Sequence, residues 1–372
     1  MLMNRIACVT ESGELWRQSK VARELGSPFV AAVLEAGHRQ LRHAPLTADL
    51  INGWADPSAA ALAMRFNAAL HAIARRGDRP DLTALYGGEH QHFDEAIAAA
   101  LRAEDRFICE WMRHTPQTNE TGRAAAIATA LMTARRQLGL PFELLELGSS
   151  CGLNLNLARY AYNLGGTMAG DLGSPILVEP EWRGEPPVAA PIKVISARGV
   201  DLNPLNACDE ATRERLLCFV WADQPRRARR LEQALAMARV HKPAVERGNA
   251  VTWLSDRLAD PQEDGVCRVV FHSMVLQYLS MPERQHVLDT ITDAGARATR
   301  ERPLTWISFE WTPLRDEVQL LLTCWPTYET HLIARCHAYG NWIEPIGRTL
   351  TPQSLAARLE HSQLKADYVA VA

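Results

Sequence analysis

The sequence predicts an α/β protein, with a mostly parallel sheet that ends in an antiparallel hairpin and is preceded by an all-helical region. Three observations predict this. Before Pro141 the apolar residues recur at helical spacing, with no strand-like alternation of any length. After Pro141 short apolar runs alternate with helical segments, the pattern of parallel strands joined by crossovers. Near the end, Val318–Cys324 and His331–Ala338 are separated by Pro326 and a polar turn, the spacing of an antiparallel pair. The chain therefore divides into a helical cap region, 1–140, and a sheet-based domain, 141–372, with an insertion near 165–191.

In the helical region, Leu62, Phe66, Leu70 and Ile73 share one face of a helix over Ala59–Arg75. Asp56-Pro57-Ser58 signals its start, and Gly77 with Pro80 its stop. Ile97, Leu101, Ile108 and Trp111 mark a second helix over Phe93–Met112. A third runs from about Glu120 to Leu138, with Asn119 as N-cap, Gly139 at the C-terminal turn and Pro141 beyond.

Strands are expected at Phe142–Leu147, Ile192–Ile195, Val266–Phe271 and Leu304–Phe309. Helices are expected over Asp209–Val240 and Pro282–Ala296. The Gly/Pro-rich stretch Gly165–Pro191 reads as a long loop or insertion with a small ribbon around Ile176–Glu179.

Composition bounds the function. The 372 residues carry 40 basic and 43 acidic side chains, a net charge of −3, which is not the basic surplus of a dedicated DNA-binding protein. Only four of the basic residues are lysine, an excess of arginine that reads mainly as compositional. The run Arg226-Arg227-Ala228-Arg229-Arg230 lacks interleaved aromatic residues and reads as a solvated face rather than an RNA-binding strip. No apolar run reaches the ~18 residues of a transmembrane helix. The start, with Glu11 and Glu14, lacks a signal-peptide core, so a cytoplasmic protein is expected. The eight cysteines are scattered without a C-x-x-C pair, which speaks against a disulfide framework or a zinc site.

The sharpest motif is Leu144-Leu145-Glu146-Leu147-Gly148-Ser149-Ser150-Cys151-Gly152-Leu153-Asn154, a strand ending in an acid, a glycine-bearing turn and the entry to a helix. Such a helix start presents free N–H groups to a polar or anionic ligand. The dinucleotide fingerprint G-x-G-x-x-G is absent, which excludes a nicotinamide dehydrogenase.

The segment resembles the first motif of class I S-adenosylmethionine-dependent methyltransferases, acid-x-G-x-G-x-G. Glu146, Gly148 and Gly152 match, and Ser150 stands in place of the middle glycine. Later segments agree in order. Pro243–Trp253 resembles the third strand and its exit, with Asn249 at the acid's place. Cys267–Leu279 resembles the fourth, with His272 at the exit.

Longer segments resemble the bacterial family labelled domain of unknown function 2332: Gly26-Ser27-Pro28, Gln117–Arg123, Leu145–Leu155, Arg198-Gly199-Val200-Asp201, Val220–Gln224, Phe271-His272-Ser273 and the tail His337–Trp342. The resemblance implies a Rossmann-like class I methyltransferase core. It implies S-adenosylmethionine as cofactor, held by Glu146, Gly148, Ser150, Gly152, Asn154, Asp201 and Asn249, with Arg123 on the methionine carboxylate.

His272 and Glu310 are the candidate bases for a small-molecule acceptor. Plainer roles stand beside these: a structural histidine for His272, a turn residue for Asp201, a helix-start residue for Arg123. The alternative function is a non-catalytic protein that binds S-adenosylmethionine on the same fold.

Overall fold

A computed structural model describes residues 13–54, 61–117 and 119–350. The expected start signal Asp56-Pro57-Ser58 lies outside the described residues.

Two compact units emerge. The first takes the described residues up to 117 together with 213–228, and the second takes 119–212 and 229–350. In the first, only helices occur up to residue 117 among the described residues: α1 Glu14–Glu24, α2 Pro28–Gln40, α3 Pro45–Asn52, α4 Leu62–Arg76, α5 Pro80–Tyr86 and α6 Phe93–Trp111. Their apolar stripes make a common core, with Val33, Phe66, Leu70, Ile73, Ile97 and Leu101 fully buried. Ser27 caps α2 by accepting the Val30 N–H, and its hydroxyl donates to Asp223 at 2.7 Å, which joins Gly26-Ser27-Pro28 to the distant Trp221-Ala222-Asp223.

The second unit opens with α7 Ala124–Leu138, ended by Gly139 in the left-handed conformation (φ 72°). Here the structure corrects the sequence reading twice. The boundary falls near 118/119 rather than 140/141, because α7 packs its alanine-rich, almost wholly buried surface on the sheet. Asn119 does not cap the helix; Glu120 accepts the Gly122 N–H, and a 3-10 turn, Thr121–Arg123, precedes α7.

The main sheet is built from β1 Phe142–Leu147, followed after the small ribbon by β6 Val194–Asp201, β7 Ala244–Arg247, β8 Cys267–Ser273, β9 Leu304–Trp311, β10 Val318–Trp325, β11 Glu329–Cys336 and β12 Trp342–Leu350. The ribbon holds β2 Ala161–Leu164, β3 Thr167–Gly170 and β4 Leu177–Val178; β5 Glu181–Trp182 adds to the far edge of the main sheet beside β12. The spatial order is β5-β12-β11-β10-β9-β8-β1-β6-β7. Strands β7, β6, β1, β8 and β9 run parallel, whereas β9 to β12 form an antiparallel meander. The expected terminal hairpin is thus a longer meander, because the chain beyond Gly340 returns as β12.

Helices α8 Glu210–Cys218, α9 Pro225–Val240, α10 Ala250–Ala259 and α11 Met281–Ala296 supply the connections. The single helix expected over Asp209–Val240 is two, because Pro225 lacks the N–H that a helix interior needs and stands instead at a helix start. Ser280 and Glu283 form a reciprocal capping box on α11. Strand β1, Phe-Glu-Leu-Leu-Glu-Leu, is buried at every position but Glu143, because both faces are covered. Leu145 and Leu147 pack with Val270, Trp306 and the α10 and α11 residues Leu254, Val287 and Ile291. By strand alternation, Leu144 and Glu146 point to the opposite face.

Candidate functional site

The chain order along the parallel strands reverses at β1: successive connections lead from β1 to β6 to β7 on one side and then back to β8 and β9 on the other. In open α/β sheets, ligands bind outside the carboxyl ends of the strands at such a switch point. Parallel registers bring these ends level. Leu147 pairs with Val200 on one side and His272 on the other, and Ser273 pairs with Phe309.

On the β1/β6 side the loop 148–152 is held tightly. Gly148 and Gly152 have φ of 67° and 72°, conformations suited to glycine. A Cβ on Gly152 would stand 2.5 Å from Pro243 Cβ, and one on Gly148 2.5 Å from Val275 Cγ2, so both turns are also close packing points. Ser150 takes the left-handed conformation (φ 53°) with a Cβ present.

The N–H groups of residues 149–152 are spent within the protein. Ser149 N–H donates to Val200 O at 3.0 Å, Ser150 N–H to Asp201 Oδ2 at 2.8 Å, Cys151 N–H to Asn119 Oδ1 at 2.9 Å and Gly152 N–H to Ser149 O at 2.7 Å. The segment after the turn is a 3-10 helix, Leu153–Arg159, rather than the expected α-helix.

Unmet polar atoms remain in the same segment. Among the described residues, the buried oxygens Glu146 Oε2, Ser150 Oγ and Asn154 Oδ1 have no hydrogen-bond partner. Glu146 is 3% exposed, and burial pushes its carboxyl up to about 8, with Asp201 nearby adding to the rise. Asp201 is only partly buried and accepts Ser150 N–H on one oxygen and Asn203 N–H (2.8 Å) on the other. Asn249 is exposed and serves as the N-cap of α10, accepting the Val251 N–H at 2.7 Å. The cofactor-holding role that the resemblance implies for Asn249 competes with this cap.

The β8/β9 side is built differently. Trp306 Nε1–H donates to His272 Nε2 at 2.9 Å, so that nitrogen carries no proton. Nδ1 therefore holds the proton and donates it to Glu310 Oε1 at 2.7 Å. His272 is completely buried with both ring nitrogens engaged, so its expected role as a base on the acceptor has no lone pair to act with. Glu310 Oε1 also accepts Val275 N–H at 2.8 Å and Leu276 N–H at 3.3 Å, while among the described residues Oε2 accepts nothing. Met274, in the left-handed conformation (φ 61°), turns the chain so that these N–H groups face the carboxylate.

Arg123 reaches the same side. Its Nε donates to Ala338 O at 2.9 Å and its Nη1 to Ser273 O at 3.2 Å, and its guanidinium lies 5.9 Å from the Phe309 ring centre. It is 7% exposed, and burial lowers its affinity for a proton. The segment Thr121–Arg123 meets the tail backbone to backbone: a Cβ on Gly122 would collide with Tyr339 O, and one on Gly340 with Gly122. Arg230 braces this contact by donating to Glu120 Oε1 at 3.0 Å and Thr121 Oγ1 at 3.3 Å.

The structure thus gathers Glu146, Gly148, Ser150, Gly152, Asn154 and Asp201 at one pair of strand exits and His272, Glu310 and Arg123 at the next. Sequence reasoning missed Trp306, although its position four residues before Glu310 puts both on one face of β9. It also missed the tie from Asn119 to the loop, which has no local signal. Among the described residues no group of three or more His, Cys, Asp or Glu side chains is arranged to hold a metal ion, and no helix is long and apolar enough to cross a membrane.

The family model described as "Uncharacterized protein conserved in bacteria (DUF2332)" matches residues 13–344. No curated protein matches the chain. Among solved structures, an S-adenosylmethionine-dependent methyltransferase from Clostridium acetobutylicum ATCC 824 is similar at 9% identity over 67% of this chain and 86% of that one, with a TM-score of 0.25.

Proposed function

We propose, for a chain that belongs to this DUF2332 family of bacterial proteins, a Rossmann-like methyltransferase unit that binds S-adenosylmethionine at the β1 and β6 exits and serves a small-molecule acceptor at the β8 and β9 exits. The observation that carries the reading is the set of buried, unpartnered oxygens Glu146 Oε2, Ser150 Oγ and Asn154 Oδ1 at the switch point. Buried acceptors without donors are costly, and a ligand rich in N–H and O–H groups satisfies them. The motif Glu146–Gly152 and the strand order add support.

The residues fit such a cofactor through acceptors rather than through free loop N–H groups. Glu146, Ser150 and Asn154 take its ammonium and hydroxyl donors. The Asp201 oxygens, each already holding one N–H, keep lone pairs for ribose hydroxyls. Gly148 and Gly152 set the turn. When bound, the cofactor supplies a methyl group activated on a sulfonium. The protein's task is then to align the acceptor with it and to take up the acceptor's proton, which falls to Glu310 Oε2.

A second reading, a protein that holds the cofactor without turnover, is favoured by one observation: the N–H groups of Ser149, Ser150, Cys151 and Gly152 are all engaged internally. Titration calorimetry with S-adenosylmethionine and S-adenosylhomocysteine tests both. Binding of each is expected, and failure of both to bind removes the cofactor assignment. A labelled methyl group that never reaches any small molecule of a cell extract, despite binding, favours the second reading.

A further inference from the structure

The β8 and β9 exits carry a charge arrangement that cofactor binding leaves unused. Glu310 is fixed through one oxygen by His272 Nδ1–H, Val275 N–H and Leu276 N–H, and its other oxygen accepts nothing among the described residues. Arg123 is pinned through Nε and Nη1 to the carbonyls of Ala338 and Ser273, while its Nη2 donates to nothing among the described residues. No carboxylate of the described residues forms an ion pair with Arg123 within 4.0 Å. The guanidinium is 7% exposed, and its Nη2 edge is not among the buried atoms left without a partner, so that edge reaches solvent and is open to an anion.

Two more cations face this exit. Arg284, held by donating to Leu279 O at 2.9 Å and Gln277 O at 3.3 Å, lies close enough to Glu310 and Arg315 to interact with both charges, Arg315 lies close to the Tyr278 hydroxyl, and neither arginine has an ion-pair partner among the described residues. Glu120, which also acts on Arg123, is paired to Arg230, so Arg123, Arg284 and Arg315 against Glu310 leave a local positive balance that suits an anionic ligand. The Tyr278 side chain beside them leaves the residue 61% exposed, an aromatic surface available to a flat ligand. A carboxylate is a weak base and is matched to an acidic hydroxyl such as a phenol rather than to an aliphatic alcohol.

We propose that Arg123 and Glu310 form the acceptor subsite and take an aromatic hydroxy acid, its carboxylate on Arg123 and its hydroxyl on Glu310 Oε2. His272 is a positioning residue: Trp306 fixes its tautomer, and it in turn fixes Glu310. In the transfer step, which rests on the methyltransferase reading above, the phenolic oxygen forms a bond to the methyl carbon. The carbon–sulfur bond breaks with its electron pair left on sulfur, and the phenolic proton passes to Glu310 Oε2. Recognition of the acid does not depend on that reading.

The test titrates 2-, 3- and 4-hydroxybenzoate, benzoate and phenol into the full chain, with and without S-adenosylhomocysteine. Calorimetry is read alongside the indole N–H resonance of Trp306, assigned with Trp306→Phe. One hydroxybenzoate is expected to bind roughly tenfold or more tightly than benzoate or phenol, and to move the Trp306 resonance through the Trp306–His272–Glu310 chain. Glu310→Gln should keep benzoate binding and lose the preference for the hydroxy acid. Arg123→Gln, if it melts cooperatively like the parent, should lose the acids and keep phenol. Binding of none of the probes overturns the proposal. So does equal affinity for benzoate and the hydroxybenzoates, or binding that leaves Trp306 unmoved. S-Adenosylhomocysteine in the same samples separates the failures. If it binds and the probes do not, the subsite alone fails; if the probes bind and it does not, the cofactor assignment fails and the subsite stands.

Discussion

Two glutamates at neighbouring strand exits meet opposite environments. Glu146 ends β1 facing the α7 side of the sheet, 3% exposed, with one oxygen that finds no donor and a carboxyl pushed up to about 8. Glu310, near the end of β9, has one oxygen saturated by His272, Val275 and Leu276 and the other open. The first is a buried acid with an unpartnered oxygen, and the second is a carboxyl group held in one orientation. Pairs of acids in such contrasting surroundings divide acid and base roles between them. On the proposed reading, this contrast gives Glu146 to a cation-bearing cofactor and Glu310 to proton uptake.

Removing Glu310's charge is the strongest way to break this contrast. Glu310→Gln should lower methyl transfer on the order of 10²- to 10⁴-fold while calorimetry gives an unchanged dissociation constant for S-adenosylmethionine. A parallel loss of cofactor affinity would mean that the two exits are not separate sites.

The next largest effect is on Glu146 and pH. Its carboxyl titrates near 4.5 when unfolded and near 8 when folded, so the folded state binds more protons between those values. Stability should therefore be highest below pH 4.5 as far as this group is concerned, fall as pH rises through 8, and level off above. Glu146→Gln should flatten that slope, a difference on the order of a few kcal/mol, read from urea unfolding at a series of pH values. A variant with the same slope as the parent would show that another group carries it. If the cofactor's ammonium pairs with Glu146, binding at pH 7 should also release a proton, seen as a dependence of the calorimetric heat on buffer ionisation.

Gly199→Ala tests the packing of the loop 148–152 against β6. An added Cβ would collide with Ser149 Oγ and stand 2.8 Å from Ser149 Cβ. Destabilisation of about 1–3 kcal/mol is expected, and an unchanged melting temperature would mean that the loop 148–152 yields easily. Ser150→Gly should have the smallest effect. It relieves a left-handed conformation worth about 1 kcal/mol, raising the melting temperature slightly, and it removes Ser150 Oγ, weakening cofactor binding. Stabilisation without weaker binding would take Ser150 out of the site.

Much of this molecule was legible in the chain itself. The spacing of Leu62, Phe66, Leu70 and Ile73 reports a helix face, and the short, mostly apolar segment Phe142–Leu147 reports a strand, because the facing of side chains repeats with the local backbone. Pro225 splits a helix that apolar spacing alone had joined. The glycines at 148 and 152 mark the turn at the switch point.

Which atoms of that turn remain available was decided only by tertiary structure. Asn119 looks like a cap in sequence and instead holds Cys151 N–H, and Asn249 looks like a ligand residue and instead caps α10. His272 and Glu310 looked equivalent as bases until Trp306 closed one side of the histidine. Gly122 and Gly340 are far apart in the chain and meet backbone to backbone, carrying Arg123 to Ser273. Periodicity and turn chemistry are properties of neighbours along the chain, so the sequence determined the elements and their order. Whether a donor or acceptor is spent depends on partners that only the packed sheet and its loops bring within about 3 Å, so the division of labour between the two glutamates belongs to the fold.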